Sequence, residues 1–560
     1  MPLRLSRYII LFLILTAYEL CSAQDIYLNP ADREINDFVD ELACAHIVQL
    51  NSVIKPYSRK LIGELLSEAG RQKEKLSHRQ QQELIFYLKE YRPELINAGT
   101  LHSHGKSGQG SFSALTDPLS LCFSYHGADT LGTTARHTAY ISLRPILSEH
   151  FYSNENGTAN KTEIGAGIFG YAGRHLAFAA AIKKGFQTER LADPVIYTTE
   201  PGMNWKSTSL NGGEYHEWTG QLVYSWKWGS AAIIKDRFEW GNNYHGANIF
   251  SGKAPSFPYL QLHVKPAKWI EFTYINAILY SGVTDSVRTF IEHDGSKQYS
   301  IRKYMTANLL TVTPWKRLNI SIGNSVIYSD KLQWSYVIPV LFYKSIDHTL
   351  YPIASSQGLV GDNAQMFLDI SSRQIRHLHL YMTLFIDELM VSRITDPNLH
   401  NFFGWKAGFK LSDFPVHNLS FVAELTRTLP GTYQHPIATT TFESDGYNMG
   451  NYLRDNAQEI YLCLGYKPVR GLSVLATWRS AERGDEFIYG EGANIAGSPI
   501  LKNIVWSDHS ISLSAAYAIT TNASVFLDYE YSRKQGDVKY NPQIFHGTTN
   551  TISCGFNVGF

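Results

Sequence analysis

The strongest constraint on this chain is a two-residue alternation of apolar and polar side chains that recurs along most of its length. It is clearest in the last ten residues, TISCGFNVGF, where Ile552, Cys554, Phe556 and Val558 alternate with small or polar residues before the terminal Phe560. A period of two is the signature of a strand with two unlike faces. The chain therefore ends on a predicted strand with an apolar face and a polar face.

Similar segments begin near residue 117 and continue to the end. Examples are PLSLCFSY, PYLQLHVKP, HLHLYMTLFI and SVFLDYEYS. We count roughly 18 to 20 of them, each about ten residues long, which suits a strand that crosses a bilayer at a tilt. We therefore predict an all-β transmembrane barrel of about 18 antiparallel strands. A large soluble β-sandwich is the alternative.

The connections between these segments fall into two kinds. VKPAKW, TPWKR, YKPVRG and AITTNA are predicted tight turns. Trp228, Trp269 and Trp315 lie beside predicted short turns. Long polar stretches occupy 184–214, 281–300, 429–456, 483–507 and 533–548. Short turns at one end and long loops at the other are typical of outer-membrane barrels, and tryptophans at the short turns predict an aromatic girdle. Two regions, 127–136 and 346–363, fit this path only with an extra strand or a crossing of the lumen.

Composition narrows the function classes. Net charge is +0, which argues against a nucleic-acid partner, and charged residues are only 18% of the chain. After the first 23 residues we find no apolar run long enough for a membrane-spanning helix. We therefore expect a protein of the Gram-negative outer membrane. Its closing strand would place Ile552 and Phe556 toward outer-membrane lipid, and Phe560 would be the signal that the outer-membrane insertion machinery reads.

The first residues predict export. Arg4 and Arg7 precede an apolar stretch at 8–17, and Cys21-Ser22-Ala23 resembles a signal-peptidase site. The mature chain would begin at Gln24. A lipoprotein attached through Cys21 is the alternative. The other four cysteines fit no zinc-site spacing, and we predict that they are free thiols.

Residues 24–98 have helical rather than strand periodicity. Stripes such as Leu61, Ile62, Leu65 and Leu66 predict three short amphipathic helices, the third opening at Ser77 with a capping box to Gln80 and ending at Pro93. Because so small a unit has little core of its own, we expect it to pack partly on the short-turn rim of the barrel, on the periplasmic side. The predicted domains are a signal peptide (1–23), a periplasmic helical bundle (24–98), a linker (99–116) and an outer-membrane barrel (117–560).

No catalytic or metal-binding pattern stands out. GTLHSHGKS at 99–107 has the wrong spacing for a phosphate-binding loop, and His102 and His104 are a weak metal signal. The paired carboxylates Asp485 and Glu486 lie in a polar loop and are interpreted as solvated surface. We predict no cofactor, no metal and no enzymatic activity.

The stretch KDRFEWGNNYHGANIFSGKAPSFPYLQLHV at 235–264 resembles the mid-barrel motif of the Wzi-type capsule assembly family. LNSVIKPYSR at 50–59 also resembles the helical segment of that family. The shared pattern comprises Arg237, Trp240, Gly241, Gly246, Ser251, Ala254, Pro255, Phe257 and Pro258. One departure is Asn242-Asn243, where we expect Pro-Gly. The resemblance implies an outer-membrane β-barrel with an N-terminal periplasmic helical bundle and a role in holding or assembling surface polysaccharide.

The motif admits two readings. Its side chains offer stacking faces and planar hydrogen-bond donors, which suit sugars, and the candidate ligand residues are Arg237, Trp240, Asn242, Asn243, Tyr244 and His245. Alternatively, Gly241, Gly246, Ser251, Pro255, Phe257 and Pro258 build a rigid loop that folds inward and plugs the barrel. Either way, the motif should lie at the long-loop end or inside the lumen.

Three functions follow as hypotheses. The first is a non-enzymatic outer-membrane barrel that binds, anchors or helps assemble capsular polysaccharide or exopolysaccharide. The second is a porin or substrate-selective channel. The third is a scaffold subunit of a surface protein-export or motility machine, with other envelope proteins as partners.

Overall fold

The computed structural model describes residues 24–28, 33–97, 111–117, 120–127, 137–208, 212–292, 295–297, 299–350, 361–487 and 494–559. The helices are α1 (Arg33–Cys44), α2 (Arg59–Arg71), α3 (His78–Glu90), α4 (Arg92–Asn97), α5 (Tyr343–Leu350) and α6 (Val391–Thr395). None of the helices in these ranges is both long and apolar enough to cross a membrane.

The strands are β1 (Ile54–Lys55), β2 (Ser111–Asp117), β3 (Ser120–Gly127), β4 (His137–Asn154), β5 (Gly157–Ala172), β6 (Leu176–Gln187), β7 (Trp205–Thr208), β8 (Gly213–Trp226), β9 (Gly229–Asp236), β10 (Glu239–Trp240), β11 (Phe250–Ser251), β12 (Phe257–Ala267), β13 (Ile270–Thr284), β14 (Phe290–Glu292), β15 (Gly295–Lys297), β16 (Ser300–Trp315), β17 (Leu318–Ser329), β18 (Asn363–Ser372), β19 (Leu378–Glu388), β20 (Phe402–Ser412), β21 (Leu419–Thr428), β22 (Glu443–Ser444), β23 (Tyr447–Asn448), β24 (Ala457–Tyr466), β25 (Leu472–Gly484), β26 (Ile504–Thr520), β27 (Ala523–Gly536) and β28 (Gly547–Val558).

Eighteen of these strands close into one antiparallel barrel. They are β4–β6, β8, β9, β12, β13, β16–β21 and β24–β28, and closure joins β28 to β4 with Val558 opposite Leu147. Closure pairs both edges of each wall strand, as the bilayer interior requires. The predicted all-β barrel of about 18 strands is confirmed.

One β-hairpin lies outside the ring of eighteen barrel strands and supplies additional strands near the region 127–136, which did not fit the predicted path. Strands β2 and β3 pair with each other, and β3 pairs with the first half of β4, from Gly127 opposite His137 to Leu121 opposite Leu143. Strand β28 pairs with the second half of the same edge. The strands attached to the barrel sheet therefore begin at Ser111, earlier than the predicted boundary at 117. Residues 98–110, most of the predicted linker, lie outside the described residues, as do 128–136 and 351–360.

The wall has an apolar outer face and a short-turn end. On β28, Ile552 and Phe556 are exposed while Thr551 and Ser553 are buried, which confirms the predicted faces; Phe560 lies outside the described residues. Trp228, Trp269 and Trp315 are exposed beside short turns, as the predicted girdle requires. A closed barrel with such a face is a transmembrane barrel of the Gram-negative outer membrane.

The connections define two ends, which we call the short-turn end and the long-loop end. The short turns at the first end are 173–175, 227–228, 268–269, 316–317, 373–377, 413–418, 467–471 and 521–522, and one further tight turn, 155–156 between β4 and β5, lies at the long-loop end. The long loops are 188–212, 237–256, 285–299, 330–362, 389–401, 429–456, 485–503 and 537–546. The predicted polar stretches did not include 330–362 and 389–401, because both contain apolar residues, whereas the loop 237–256 coincides with the motif that was expected at the long-loop end or in the lumen.

Residues 33–97 form a compact helical unit. The Ser77–Gln80 capping box is confirmed. The third helix ends at Glu90, and Pro93, which was predicted to end it, lies in the first turn of a fourth helix, α4. The expectation that the unit lacks its own core is wrong. Its apolar core draws only on residues between 28 and 91, because connecting residues such as Ile47, Leu50 and Tyr57 add to the helical stripes.

The helical unit lies against the short-turn end, as predicted. Asn51 Nδ2 donates to Lys268 O at 3.1 Å, and the backbone N of His377 donates to Cys44 O at 2.7 Å. Arg144 reaches down from β4 to Glu90 Oε1 at 2.5 Å. Its placement on the periplasmic side of the membrane stays a prediction.

Two chain segments meet inside the barrel. Strand β1 of the helical unit pairs with β10, Ile54 opposite Trp240, and β10 pairs with β11, Trp240 opposite Phe250. We call residues 237–256, which contain β10 and β11, the lumenal loop. The central core joins Val53 and Trp240 to inward side chains of the wall such as Phe367. Protein side chains therefore fill the part of the lumen that surrounds these strands.

Candidate functional site

The tip of the lumenal loop is held by one buried carboxylate. Glu424, on the inner face of β21, accepts hydrogen bonds from the backbone N of Tyr244 at 2.7 Å and of His245 at 2.9 Å. Lys406 on the neighbouring strand lies 3.1 Å from the same carboxylate and donates to His245 O at 2.7 Å. The side chains of both Lys406 and Glu424 are fully buried. Glu424 thus supplies the hydrogen-bond acceptors that water would otherwise provide to these buried backbone N–H groups.

Glycines shape the loop at the same place. Gly241 has φ +99° and Gly246 has φ +67°, conformations that favour glycine, and a Cβ at Gly241 would lie 3.2 Å from Thr383 Cγ2. The backbone N of Gly241 donates to Val53 O at 3.2 Å, which ties the loop to the helical unit. Asn242 then bonds Asp369 twice, at 2.8 Å through its backbone N and 2.6 Å through its amide.

A second buried carboxylate joins the helical unit, the loop and the wall. Asp40 of α1 accepts from Tyr244 Oη at 2.6 Å, Arg373 Nη2 at 2.7 Å and Lys410 Nζ at 2.8 Å. We call these four residues the Asp40 latch. Burial opposes ionisation of Asp40, but the charges of Lys410 and Arg373 outweigh it and hold the pKa of this carboxyl well below its usual range.

The other predicted ligand residues are also engaged by the protein. Arg237 lies 2.6 Å from Glu217 Oε1 and donates to Gly202 O at 2.9 Å, while Asn243 donates to Glu239 Oε1 at 3.0 Å. Trp240 is buried in the central core. The ring of His245 stacks on Tyr461 at a centroid distance of 4.3 Å.

The structure thus places all six candidate ligand residues in the lumenal loop, where Trp240 and Asn243 are buried, the other four are half-buried, and protein groups occupy most of their polar atoms. Among the predicted structural residues, Ser251 bonds Met449 O at 2.8 Å through its backbone N, Pro255 is buried, and Phe257 begins β12 in the central core. Pro258 instead lies on the exposed face of β12. Sugar binding by the six residues stays a prediction.

A pocket at the long-loop end is accessible instead. It has a volume of about 310 Å³ and lies between the loops 429–456 and 485–503. It is lined by Thr432, Tyr433, Gln434, His435, Pro436, Ala438, Thr441, Glu443, Asn448, Arg454, Asp455, Arg483, Glu486 and Phe487. We call it the loop-end pocket. Sequence reasoning placed Glu486 on a solvated surface and missed the others; clustering of charge in two long loops was the available signal.

Ion pairs hold the polar lining in place. Arg483 lies 3.0 Å from Asp455 and 3.2 Å from Glu486, and Arg454 pairs with Glu443. The side chain of Glu486 is 44% exposed, so this carboxylate is open to a ligand.

Burial lowers the pKa of His435 to about 4, so His435 is neutral at pH 7 and accepts no second proton there. Burial and the neighbouring Arg483 charge also lower the pKa of Arg454. Fixed guanidinium and carboxylate groups beside an aromatic ring can hydrogen-bond hydroxyl groups and stack against a sugar face. Within the described ranges, no group of three or more His, Cys, Asp or Glu side chains is arranged to hold a metal ion.

Comparisons with known proteins identify the fold. No protein-family model matches the chain, and no characterised protein sequence matches it. Among solved structures, Wzi of Escherichia coli, described as an outer-membrane protein involved in group 1 capsule assembly and a carbohydrate-binding β-barrel, matches with a TM-score of 0.56 and 9% identity over 96% of this chain and 100% of Wzi. OccD3 of Pseudomonas aeruginosa and OccAB3 of Acinetobacter baumannii each match 75% of this chain with a TM-score of 0.41, at 12% and 10% identity. The chain therefore has a Wzi-type fold, an 18-strand outer-membrane barrel with an N-terminal helical unit.

Proposed function

We propose that this protein binds surface polysaccharide at the loop-end pocket and so helps to hold or assemble a capsule or exopolysaccharide at the cell. The observation that carries the proposal is the pocket itself, with its paired charges and aromatic wall at the long-loop end. The carbohydrate binding described for Wzi, which has the same fold, supports the same class of ligand.

The chemistry of the pocket favours a glycan over a small ion. Glu443, Asp455 and Glu486 are acceptors, and Arg454 and Arg483 are donors, so positive and negative groups line the same space. Such a site offers both partners that each hydroxyl group requires. Phe487 supplies a face for the apolar side of a pyranose ring. The proposal needs no catalytic group.

A direct binding measurement tests the proposal. Purified polysaccharide from the host strain is titrated into the detergent-solubilised protein by calorimetry. Glu486→Gln removes one charged acceptor with little change in size, and a hydrogen bond to a charged group contributes about 1.5–3 kcal/mol. We therefore expect affinity to fall by roughly ten- to a hundredfold.

Two further variants complete the test. Phe487→Ala should also weaken binding, whereas Asp396→Asn, a loop carboxylate outside the pocket, should leave it unchanged. Equal affinities for wild type, Glu486→Gln and Phe487→Ala would exclude the loop-end pocket as the binding site.

A cellular experiment tests the role. Deleting the gene should release polysaccharide into the medium while total synthesis stays constant, and wild-type protein should restore cell-bound material where Phe487→Ala does not. Unchanged cell-bound polysaccharide after deletion would contradict the proposed role even if the purified protein binds glycan.

A further inference from the structure

Part of one long loop folds over the outer surface of the barrel. We call residues 332–343 the outer strap. Asn308 of β16 donates to Pro339 O at 2.8 Å and to Leu341 O at 3.1 Å, and Tyr274 of β13 donates to Val337 O at 2.9 Å. These wall residues anchor the backbone of the strap.

Strand register shows that this anchoring surface faces outward. On β16, Met305, Ala307 and Leu309 point into the central core of the barrel. Asn308 alternates with them, and Leu310, two residues further along the same outer face, is exposed. Side chains on one face of a strand recur every second residue, so Asn308 faces away from the lumen. The outer strap therefore lies on the lipid side of the wall.

The inner side of the strap is packed like a protein core. Tyr336 and Tyr343 are fully buried, and they join a cluster with outward-facing Tyr304, Val326 and Tyr328 of the wall. The ring of Tyr336 lies 4.9 Å from that of Tyr328.

The wall also supplies a hydrogen-bond acceptor to the strap. The backbone N of Tyr343 donates to Asn324 Oδ1 at 3.0 Å, and Asn324 in turn donates to Asn308 Oδ1 at 2.8 Å. Thus the strap covers polar side chains that would be costly if they faced hydrocarbon alone.

The outer side of the strap is apolar and exposed. Trp334 is 76% exposed and Val340 is 75% exposed, and Ile338 and Phe342 are exposed beside them. The strap sequence, LQWSYVIPVLFY, contains no charged residue, while Lys331 and Lys344 flank it. Apolar residues bounded by lysines are typical of segments that lie at a membrane interface.

The depth of the strap fits that location. Trp315, at the short-turn girdle, follows Asn308 on β16 by about 23 Å of strand at ~3.3 Å per residue. With a tilt near 40°, this is roughly 18 Å along the barrel axis, in an apolar band about 25 Å tall. The floor of the strap would lie about 7 Å inside the far edge of the band, within the ~5–10 Å depth of interfacial segments.

We propose that the outer strap is a lipid-contacting element, with Trp334, Val340 and Phe342 immersed at the acyl-chain boundary of the leaflet at the long-loop end. Lipid is the occupant because the exposed face of the strap continues the lipid-facing band of the wall, where Leu310 and Ile322 are exposed below it. The strap thus widens the apolar belt on one side of the barrel and masks the polar Asn308–Asn324 pair.

Depth-dependent fluorescence quenching tests this proposal. Val340→Cys is made in a Cys463→Ser/Cys554→Ser background, labelled with an environment-sensitive fluorophore and placed in nanodiscs holding one copy of the protein. Val287→Cys is the matched control, because Val287 is 92% exposed in a different long loop. Heat modifiability first confirms that each variant is folded, and Phe342→Cys replaces Val340→Cys if that variant does not fold.

The two quenchers report on opposite environments. The probe at residue 340 should emit at shorter wavelength than the probe at 287, and nitroxide on lipid acyl chains should quench it at least about threefold more strongly than aqueous iodide, a reversal of the order at 287. Iodide quenching at 340 equal to that at 287 would overturn the proposal. Weak quenching by both agents would also overturn it, because the patch would then be covered by protein.

Discussion

The Asp40 latch should control how tightly the helical unit holds the barrel. The apolar core of the unit is its own, and much of its attachment to the wall is ionic. Asp40→Ala removes the carboxylate and leaves Arg373 and Lys410 as buried cations that no longer have it as a partner. Tyr244 of the lumenal loop loses its acceptor in the same step.

The size of the effect follows from the burial of the latch. Breaking one partner of a buried ion pair costs about 3–5 kcal/mol, because the remaining charge is left uncompensated. At about 1.4 kcal/mol per factor of ten, the undocked population should rise roughly a hundred- to a few thousandfold. The free helical unit should remain folded, since its core contains no residue of the wall.

Labelling of Cys44 measures this population. Cys44 is fully buried, and its carbonyl accepts from His377 of a short turn across the interface, so a reagent reaches the thiol from the undocked form. Labelling by a water-soluble maleimide is followed by mass spectrometry of the peptide that carries Cys44. A cysteine introduced at Val287, which is 92% exposed in a long loop, should label equally fast in every variant and serves as the internal reference.

Asp37→Ala is the matched control, because Asp37 is exposed on the same helix. A change at an exposed site usually alters stability by no more than about 0.5 kcal/mol, so its labelling rate should stay within roughly threefold of wild type. An Asp40→Ala rate that is also within threefold of wild type would refute the view that the latch holds the unit in place.

The remaining predictions concern acid, the lumenal loop and conductance. The pKa of Asp40 is lower in the docked state than the ordinary value of about 3.9, so docking should be constant from pH 7 to about 5 and weaken as pH falls below about 4. The rate of Cys44 labelling by dithiodipyridine, a reagent that reacts in acid, checks this prediction. A labelling rate that already rises at pH 6 would contradict it. Glu424→Ala should lower the free energy of unfolding by about 3–5 kcal/mol, because Lys406 and two backbone N–H groups of the lumenal loop lose their buried partner. Guanidinium titrations followed by tryptophan fluorescence measure this loss. A loss below about 1 kcal/mol would show that the loop does not depend on this carboxylate. The full-length protein should give no steady large openings in planar bilayers, and deleting 24–97 should leave a heat-modifiable barrel with higher conductance, because the wall strands pair without the helices; unchanged low conductance would show that the lumenal loop closes the barrel alone.

The loop-end pocket shows where sequence reasoning stopped short. Asp485 and Glu486 were interpreted as solvated surface because they lie in a polar loop, and that pattern is the same whether a carboxylate faces bulk water or a cavity. Only the approach of Arg483 and the loop 429–456 distinguishes the two cases. The outer strap is a second example. Its uncharged sequence does not indicate whether it covers the inner or the outer face of the barrel wall.

The family motif was located but not resolved by sequence. Its residues were expected at the long-loop end or in the lumen, as sugar ligands or as a plug, and both readings use the same side chains. In the structure they lie in the lumen, where they hydrogen-bond to carboxylates on distant elements. Tyr244 donates to Glu424, which is 180 residues away in the chain, and to Asp40, which is 204 residues away. No local pattern encodes such pairs.

By itself, the sequence determined the barrel, the two faces of its strands, the short-turn and long-loop ends and the presence of a separate helical unit. These properties follow from side-chain periodicity, which is local and repeats many times, so single errors cancel. Tertiary structure alone decided what fills the lumen, what covers the outer wall and which charges meet. Closure of the sheet brings together residues that are far apart in the chain. Which buried charges then form ion pairs decides these outcomes, because an unpaired buried charge is costly.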